Sequence, residues 1–502
     1  MGEDKSGMRA KSVRLLLPPA DAGYAKKSPA YPKFPFPPPS GHAILSAWAK
    51  RHCGLPDLDV KTMGDISPDT MERRSLEEMA RFAKGVSIVG LTNWYHNTKN
   101  CQTLAKMVKA VDPRAIIVMG GPNCSDPSVS GLFLRKIPQL DYVVSDDGED
   151  ALAGLIRGAS PQAIPNLCWL EGDAMRFSHR AFTDLTKMPL WDFTDAEGYE
   201  KLLKPHKELD RGILPMVSIL SSRGCNKAVR MGPCHFCTSS CGDRMRIPPR
   251  AMFWEQAAHL HKMHGLDAFY VMDNVFVLSP EYVRRLAEER VHHAGVPESL
   301  RLRVYTYPTS IVERCQAEAD MIGESLSQMG VCDVFFGIES FDREVNSRSN
   351  KEHFSLDSVE RSIEVLAKHG IRTTLGIIMG LPGESPGSIA KTVSSLKQLL
   401  ERHAPESFER LVISLGQPLL GTPWFHDLCK DPDISEGYSK AKGMTPDEDI
   451  SPDYALLMRL SVARYSSSLS ADMVEDSAMK IISMAREYLP TDMVGGYGLE
   501  DV

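Results

Sequence analysis

The chain alternates between two hydrophobic periods. Short apolar runs at residues 13–17, 58–62, 86–91, 115–119 and 142–145 read as buried strands, and residues 42–52, 76–83, 100–111 and 149–156 repeat their apolar positions at helical spacing. Strands separated by helices make a parallel sheet covered on both faces. Residues 158–205 read as a linker with a hairpin-like patch at 166–171, and then the alternation resumes. Strand-like runs at 216–220, 268–272, 302–305, 334–338, 373–379 and 411–415 enclose helical patterns at 254–264, 280–289, 311–329, 355–368 and 387–401. Six such units predict a barrel or part-barrel whose working loops follow the strands' carboxyl ends. Residues 431–453 are acidic and polar, and amphipathic helices at 455–466 and 473–488 read as a cap on the barrel. The expected division is 10–160, 161–210, 211–425 and 426–502.

In open parallel sheets ligands sit beyond the carboxyl ends of the strands. In the first sheet those ends carry Asn93, Trp94, Tyr95 and His96, then Gly120, Gly121 and Asn123. Paired glycines let a backbone approach a bulky ligand, or make an ordinary tight turn. The proline-rich stretch 31–39 reads as a shaped pocket wall. In the barrel, Asp273 and Asn274, Glu339 and Gly380-Leu381-Pro382-Gly383-Glu384 occupy the corresponding ends. A carboxylate such as Glu339 closing an apolar run must face ligand, water or a buried partner.

The loop after the first barrel strand carries the strongest chemical signal. Cys225 is followed after eight residues by Cys234, then by Cys237, with Cys241 close behind. Thiolates this close, among Gly224, Gly232 and Pro233, can converge on one metal centre. Tetrahedral zinc is one occupant, with Cys241 as a fourth ligand. An iron-sulfur cluster held by three thiolates is the other, and it leaves one iron open for chemistry. Cys225, Cys234 and Cys237 are the favoured ligands, although Cys234, Cys237 and Cys241 also form a triplet.

Composition narrows the class. The chain has 502 residues, enough for two or three domains, and a formal net charge of -7, so no basic surplus advertises a nucleic-acid partner. No bilayer-length apolar run or N-terminal signal pattern is visible, so a cytoplasmic location is expected. Eleven cysteines in such a chain argue for thiols and a metal site rather than disulfides. Cys53, Cys101, Cys168, Cys315, Cys332 and Cys429 read as small buried hydrophobes.

Over residues 12–425 the sequence resembles the cobalamin-dependent radical S-adenosylmethionine (SAM) enzymes. The resemblance rests on the cysteine loop with Phe236 before its last cysteine, on Gly337-Ile338-Glu339-Ser340, and on Gly376-x-Ile378-x-Gly380 running into Gly380 to Glu384. Gly421-Thr422-Pro423, Pro37-Pro38-Pro39-Ser40-Gly41, Val89-Gly90-Leu91 and Gly120-Gly121-Pro122 add to it. It implies an α/β chain: a Rossmann-like cobalamin-binding domain, a radical SAM (β/α)6 partial TIM barrel and a helical C-terminal cap. It further implies that Cys225, Cys234 and Cys237 hold a 4Fe-4S cluster whose open iron chelates S-adenosylmethionine, and that reduction yields a 5'-deoxyadenosyl radical. Adenine is then expected along Ile378 to Gly380 and near Leu415, with Asp273, Asn274 and Glu339 at the methionine and ribose ends. Cobalamin is expected over Asn93 to His96 and Gly120 to Asn123.

Two departures stand out. The family's usual spacing is C-x3-C-x2-C, and here the first gap is eight residues and includes Lys227 and Arg230. The D-x-H-x-x-G motif that supplies histidine to cobalt is absent, which leaves the lower face to water or to a side chain such as Trp94 or Tyr95. The resemblance implies a methyltransferase acting on an unactivated carbon, or phosphorus, of a natural-product intermediate or peptide, served by an external flavodoxin- or ferredoxin-type electron donor. The alternatives are a non-methylating cyclase or rearrangement enzyme on the same scaffold, and a non-catalytic cobalamin or redox sensor.

Overall fold

The computed structural model describes residues 9–22, 37–238 except 209–216, 244–312, 315–466 and 468–497. Cys241 lies outside the described residues, as does most of the stretch 31–39.

The first sheet contains β1 (Ser12–Leu16), β2 (Asp59–Met63), β3 (Ile88–Thr92), β4 (Ile116–Gly120), β5 (Tyr142–Val144), β6 (Leu167–Glu171) and β7 (Ala174–Phe177). Its order is β2-β1-β3-β4-β5-β6-β7, with β1 to β5 parallel and the last two strands antiparallel. The expected linker therefore widens the first sheet. Each parallel strand is apolar on both faces because each face meets helices: in β1, Val13 and Leu15 enter one core and Leu16 the other.

The second sheet runs in chain order through β8 (Val217–Ile219), β9 (Ala268–Val271), β10 (Arg301–Thr306), β11 (Val331–Glu339), β12 (Arg372–Met379), β13 (Phe408–Leu415) and β14 (Val494–Tyr497), all parallel. It has seven strands where six were expected. The extra strand comes from the C-terminal stretch, whose Val494-Gly495-Gly496-Tyr497 has too few apolar residues to announce a strand and is completed by pairing with β13.

The C-terminal helices also depart from a simple cap. Trp424, Phe425, Leu428, Tyr438 and Leu457 share a core with Val129 and Phe133 of the first half, while Val474, Ala478, Ile481 and Ile482 pack into the barrel core. The tail thus joins both sheets. The helix expected over 311–329 is two pieces, Pro308–Val312 and Gln316–Gln328. Three helices of the second half start on side-chain caps: Ser279, Ser355 and Ser385 accept from the backbone N–H of Tyr282, Ser358 and Ser388. Such caps contribute about 1 kcal/mol each and fix the length of the strand-end loops that carry the site.

Candidate active site between the two sheets

The carboxyl ends of both sheets open on one cavity of about 1950 Å³. Pockets for drug-sized molecules occupy about 300–1,000 Å³, so this space holds more than one. Leu15, Gly90, Thr92 and Gly121 line it where the strand order reverses between β1 and β3, the position at which open α/β sheets bind ligands. Tyr270, Tyr305 and Leu415 line it from the barrel, and Cys237 stands in the same wall.

The cysteine loop is held from several sides. Cys225 is buried, Cys234 and Cys237 are half-buried, and six of the eight residues between the first two form a helix, Asn226–Met231. Lys227 on that helix is 1% exposed; its ammonium donates to the Gly232 carbonyl at 2.9 Å and to the Asn350 carbonyl. Asn350 returns its side-chain amide to the carbonyls of Met231 and Pro233 at 3.1 and 2.8 Å. The His235 amide donates to Ser349 and its carbonyl accepts from Trp424, both at 2.9 Å. The gap that departs from the usual spacing is therefore a packed element.

Charge gathers around the thiols. Lys351 is buried against Glu339 at 3.0 Å, with its ammonium 5.0 Å from the Tyr307 ring centroid. Burial opposes its charge, but Glu339 and then Cys234 hold its pKa above the ordinary lysine value. Gly337 makes room for the pair, since a Cβ there would meet the Glu339 carboxylate at 2.5 Å. Glu339 itself takes a φ of +61°, a conformation uncommon outside glycine. Among the described residues, one trio of Cys, His, Asp or Glu has ligand atoms within 4.8 Å of one another, namely Glu360, Glu364 and His403. The trio is an ion-pair cluster, because Arg402 and His403 both donate to Glu360.

The remaining sequence candidates divide by position. Trp94, Tyr95, His96, Gly120, Gly121, Asn274 and Leu415 line the cavity, and Asn93, Asn123, Asp273, Glu339, Ile378 and Gly380 stand behind its surface. Asp273 is 1% exposed and its carboxylate is occupied, accepting from the Ser221 amide at 2.8 Å and from the Ser221 and Ser222 hydroxyls at 2.6 Å each. It sets the turn that launches the cysteine loop. Asn274 donates to the Gly224 carbonyl at 3.2 Å. Thr98 donates to Asn93 at 2.9 Å and accepts from Asn123 at 3.2 Å, which ties the ends of β3 and β4 together beneath the loop. Gly121 has φ +106°, and a Cβ there would come within 2.8 Å of the Asn93 carbonyl, so the turn requires glycine. His96 packs edge-on against Tyr95 and stacks at 6.2 Å with Trp94; burial lowers its pKa to about 4, leaving a neutral imidazole at pH 7.

Residues 219–396 match the family profile described as the Radical SAM superfamily. The chain carries a radical SAM domain. An uncharacterized methyltransferase of Pyrococcus horikoshii is 22% identical over 404 residues, 78% of this chain and 79% of that protein. The cobalamin-dependent radical SAM methyltransferase TokK of Streptomyces tokunonensis is 22% identical over 334 residues, 64% of this chain and 46% of TokK. Among solved structures, the radical S-adenosylmethionine methyltransferase TsrM from Kitasatospora setae, with cobalamin and a 4Fe-4S cluster bound, superposes with TM-score 0.63 at 17% identity over 88% of this chain and 80% of that one. The cobalamin-dependent S-adenosylmethionine radical enzyme OxsB superposes with TM-score 0.67 at 13% identity over 94% of this chain and 66% of that one. At these identities the likeness to solved structures is one of fold.

Within the radical SAM domain, sequence reasoning passed over the burial of Lys227 and the role of Lys351. A lysine in a short polar helix reads as solvent-facing, and only the convergence of residues 232 and 350 gives it carbonyl partners. Three of the scattered cysteines also depart from expectation: Cys315 is exposed, and Cys332 and Cys429 are half-buried. Glu384, at the end of the glycine-rich strand-end run, closes its own loop by accepting from the Gly380 amide, and burial raises its pKa to about 7.

Proposed function

We propose that the chain is a cobalamin-dependent radical SAM methyltransferase that delivers a methyl group to an unactivated carbon, or phosphorus, centre of a small molecule or peptide. The observation that carries this reading is the single cavity joining the reversal point of the first sheet to the barrel lumen, with Cys237 in its wall. Fold likeness to TsrM and OxsB, and the methyltransferase names of the relatives, support it.

The residues fit a cluster: three cysteines on one loop, the last of them facing the cavity, beside two buried ammonium groups that offset thiolate charge. Cys225, Cys234 and Cys237 would hold it, and the end residues of β3 and β4 would face cobalamin. When bound, these groups supply one-electron reduction of S-adenosylmethionine and methyl transfer, with electrons from an external flavodoxin- or ferredoxin-type donor. The chain's own part is to orient and to exclude water. Asp273 fixes the start of the loop, Lys227 and Asn350 fix its middle, and the neutral His96 with Trp94 and Tyr95 forms an aromatic wall on the opposite side.

Anaerobic reconstitution with iron, sulfide and hydroxocobalamin tests this. The expected result is about four irons per chain, bound cobalamin, and 5'-deoxyadenosine and S-adenosylhomocysteine formed on reduction with S-adenosylmethionine. Substituting Cys225, Cys234 or Cys237 by Ala removes the iron, and Cys241→Ala keeps it. Bound zinc, or no cobalamin, would overturn the assignment.

A further inference from the structure

Tyr307 follows β10 directly, one residue beyond the strand end at Thr306. Its phenolic oxygen lies 3.5 Å from the Cys225 sulfur, a contact between residues 82 positions apart in the chain. Sulfur is a larger acceptor than oxygen, so this is hydrogen-bond distance. Between a phenol and a free thiol either group could be the donor. A thiolate committed to iron has no proton to give, so the phenol then donates, and with an ordinary pKa near 10 it keeps its proton at neutral pH.

The ring is held in place. Phe354, fully buried, stacks on it with centroids 5.7 Å and planes 28° apart. The Lys351 ammonium lies 5.0 Å from the centroid of the Tyr307 ring and 5.6 Å from that of Phe354. Around the sulfur, Val275, Ala228 and Leu278 pack with Cys225 and Tyr307. In apolar surroundings a hydrogen bond is stronger than in water, and one to an ionised acceptor is stronger than one between neutral groups. Lys351 also bears on the thiols, but Glu339 meets its charge at 3.0 Å. Tyr307 instead touches a candidate ligand sulfur directly.

We propose that Tyr307 acts through Cys225 on electron entry: by donating a hydrogen bond to the Cys225 sulfur it raises the reduction potential of the 4Fe-4S cluster. This rests on the assignment of Cys225, Cys234 and Cys237 as the cluster's ligands. Hydrogen bonds to the sulfurs are among the features that set cluster potentials. An added electron leaves more negative charge on the cysteine sulfurs, so a donor to sulfur favours the reduced state. The electron comes from the external flavodoxin- or ferredoxin-type donor, and the phenol keeps its proton. A single hydrogen bond shifts an equilibrium by up to about tenfold, which for a one-electron couple is about 59 mV.

The test is an EPR-monitored redox titration of the reconstituted full chain, with iron content and circular dichroism measured on the same samples. Tyr307→Phe removes the hydroxyl and keeps the ring. It is expected to lower the one-electron reduction constant by about tenfold, a shift of about 59 mV to more negative potential. Incorporating 3-fluorotyrosine in place of Tyr307 supplies a more acidic hydroxyl, hence a better donor, and is expected to move the potential the other way. Opposite shifts cannot both come from a loosened fold, and the fluorinated variant decides the matter if Tyr307→Phe binds no iron. A potential unchanged or more positive in Tyr307→Phe with its iron in place, or one that does not rise in the fluorinated variant, overturns the proposal and leaves the ligand assignment standing. Wild-type chain that binds no iron overturns the ligand assignment, and the proposal with it.

Discussion

The Arg223 guanidinium donates to the Glu149 carboxylate at 2.5 Å, joining the loop after β8 to the segment after β5 in the other sheet. Asp147 lies 3.4 Å from the same guanidinium and also accepts from Arg246, whose backbone exchanges two 2.9 Å hydrogen bonds with Arg223. The base of the cysteine loop is thereby fastened to the first sheet. Glu149 is 4% exposed and Arg223 is 21% exposed at the side chain. Breaking a fully buried pair costs about 3–5 kcal/mol; with Arg223 partly in water, Glu149→Gln is expected to cost about 2 kcal/mol. Thermal unfolding checks this, and a midpoint equal to the wild type would show that the pair does not hold the halves together.

Lys227 brings a positive charge to the cysteine loop, where its ammonium donates to two backbone carbonyls. With a cluster bound, Lys227→Gln should make its reduction potential more negative, by on the order of 50–100 mV for a charge several ångströms away at an effective dielectric near 20. Spectroelectrochemical titration of the reconstituted variant reads the shift. An unchanged potential would reduce Lys227 to a purely structural staple.

His42 donates to or accepts from the Thr92 hydroxyl at 2.7 Å at the end of β3, and burial lowers its pKa from 6.5 to about 4. A depressed folded-state pKa means that the neutral form stabilises the fold above about pH 6.5 and that this contribution is lost as pH falls toward 4. The loss approaches about 3 kcal/mol. His42→Gln, which cannot take up the proton, should flatten the acid limb of stability between pH 6.5 and 4.5. Urea midpoints at several pH values decide it, and parallel acid limbs would refute the assignment.

Glu384 has the opposite sign. Its pKa is raised from 4.5 to about 7 by burial, against the pull of the Gly380 and Leu381 amides. The neutral acid stabilises the fold fully below about pH 4.5, and that contribution drains away as pH rises through 7. Glu384→Gln is expected to match the wild type at pH 4.5 and to exceed it at pH 8 by about 3 kcal/mol at most. A variant equally or less stable at pH 8 would mean that the ionised carboxylate is tolerated in its loop.

The two alternating patterns, the cysteine loop and the glycine-rich strand ends were all legible in the sequence. Burying a parallel sheet on both faces forces continuous apolar runs such as 86–91, and a turn as tight as the one at Gly121 admits no side chain. These are local demands, and each is met by residues close together in the chain. Asp273 illustrates the limit of such reading: its position at a strand end was visible, but the three donors from Ser221 and Ser222 that occupy it come from the end of the neighbouring strand β8, some fifty residues earlier in the chain.

What only the tertiary structure decided depends on which distant groups meet. Lys227 is buried because the Asn350 carbonyl arrives beside it, and β14 is a strand because β13 offers it a ladder. The tail belongs to both cores because Trp424 packs into the core of the first half and Ile481 into that of the second sheet. Arg303 of β10 meets Glu409 of β13, a pairing that no local pattern announces. Local propensity and hydrophobic period fixed the elements, whereas the compensation of buried charge and unpaired backbone is settled only when separate elements pack.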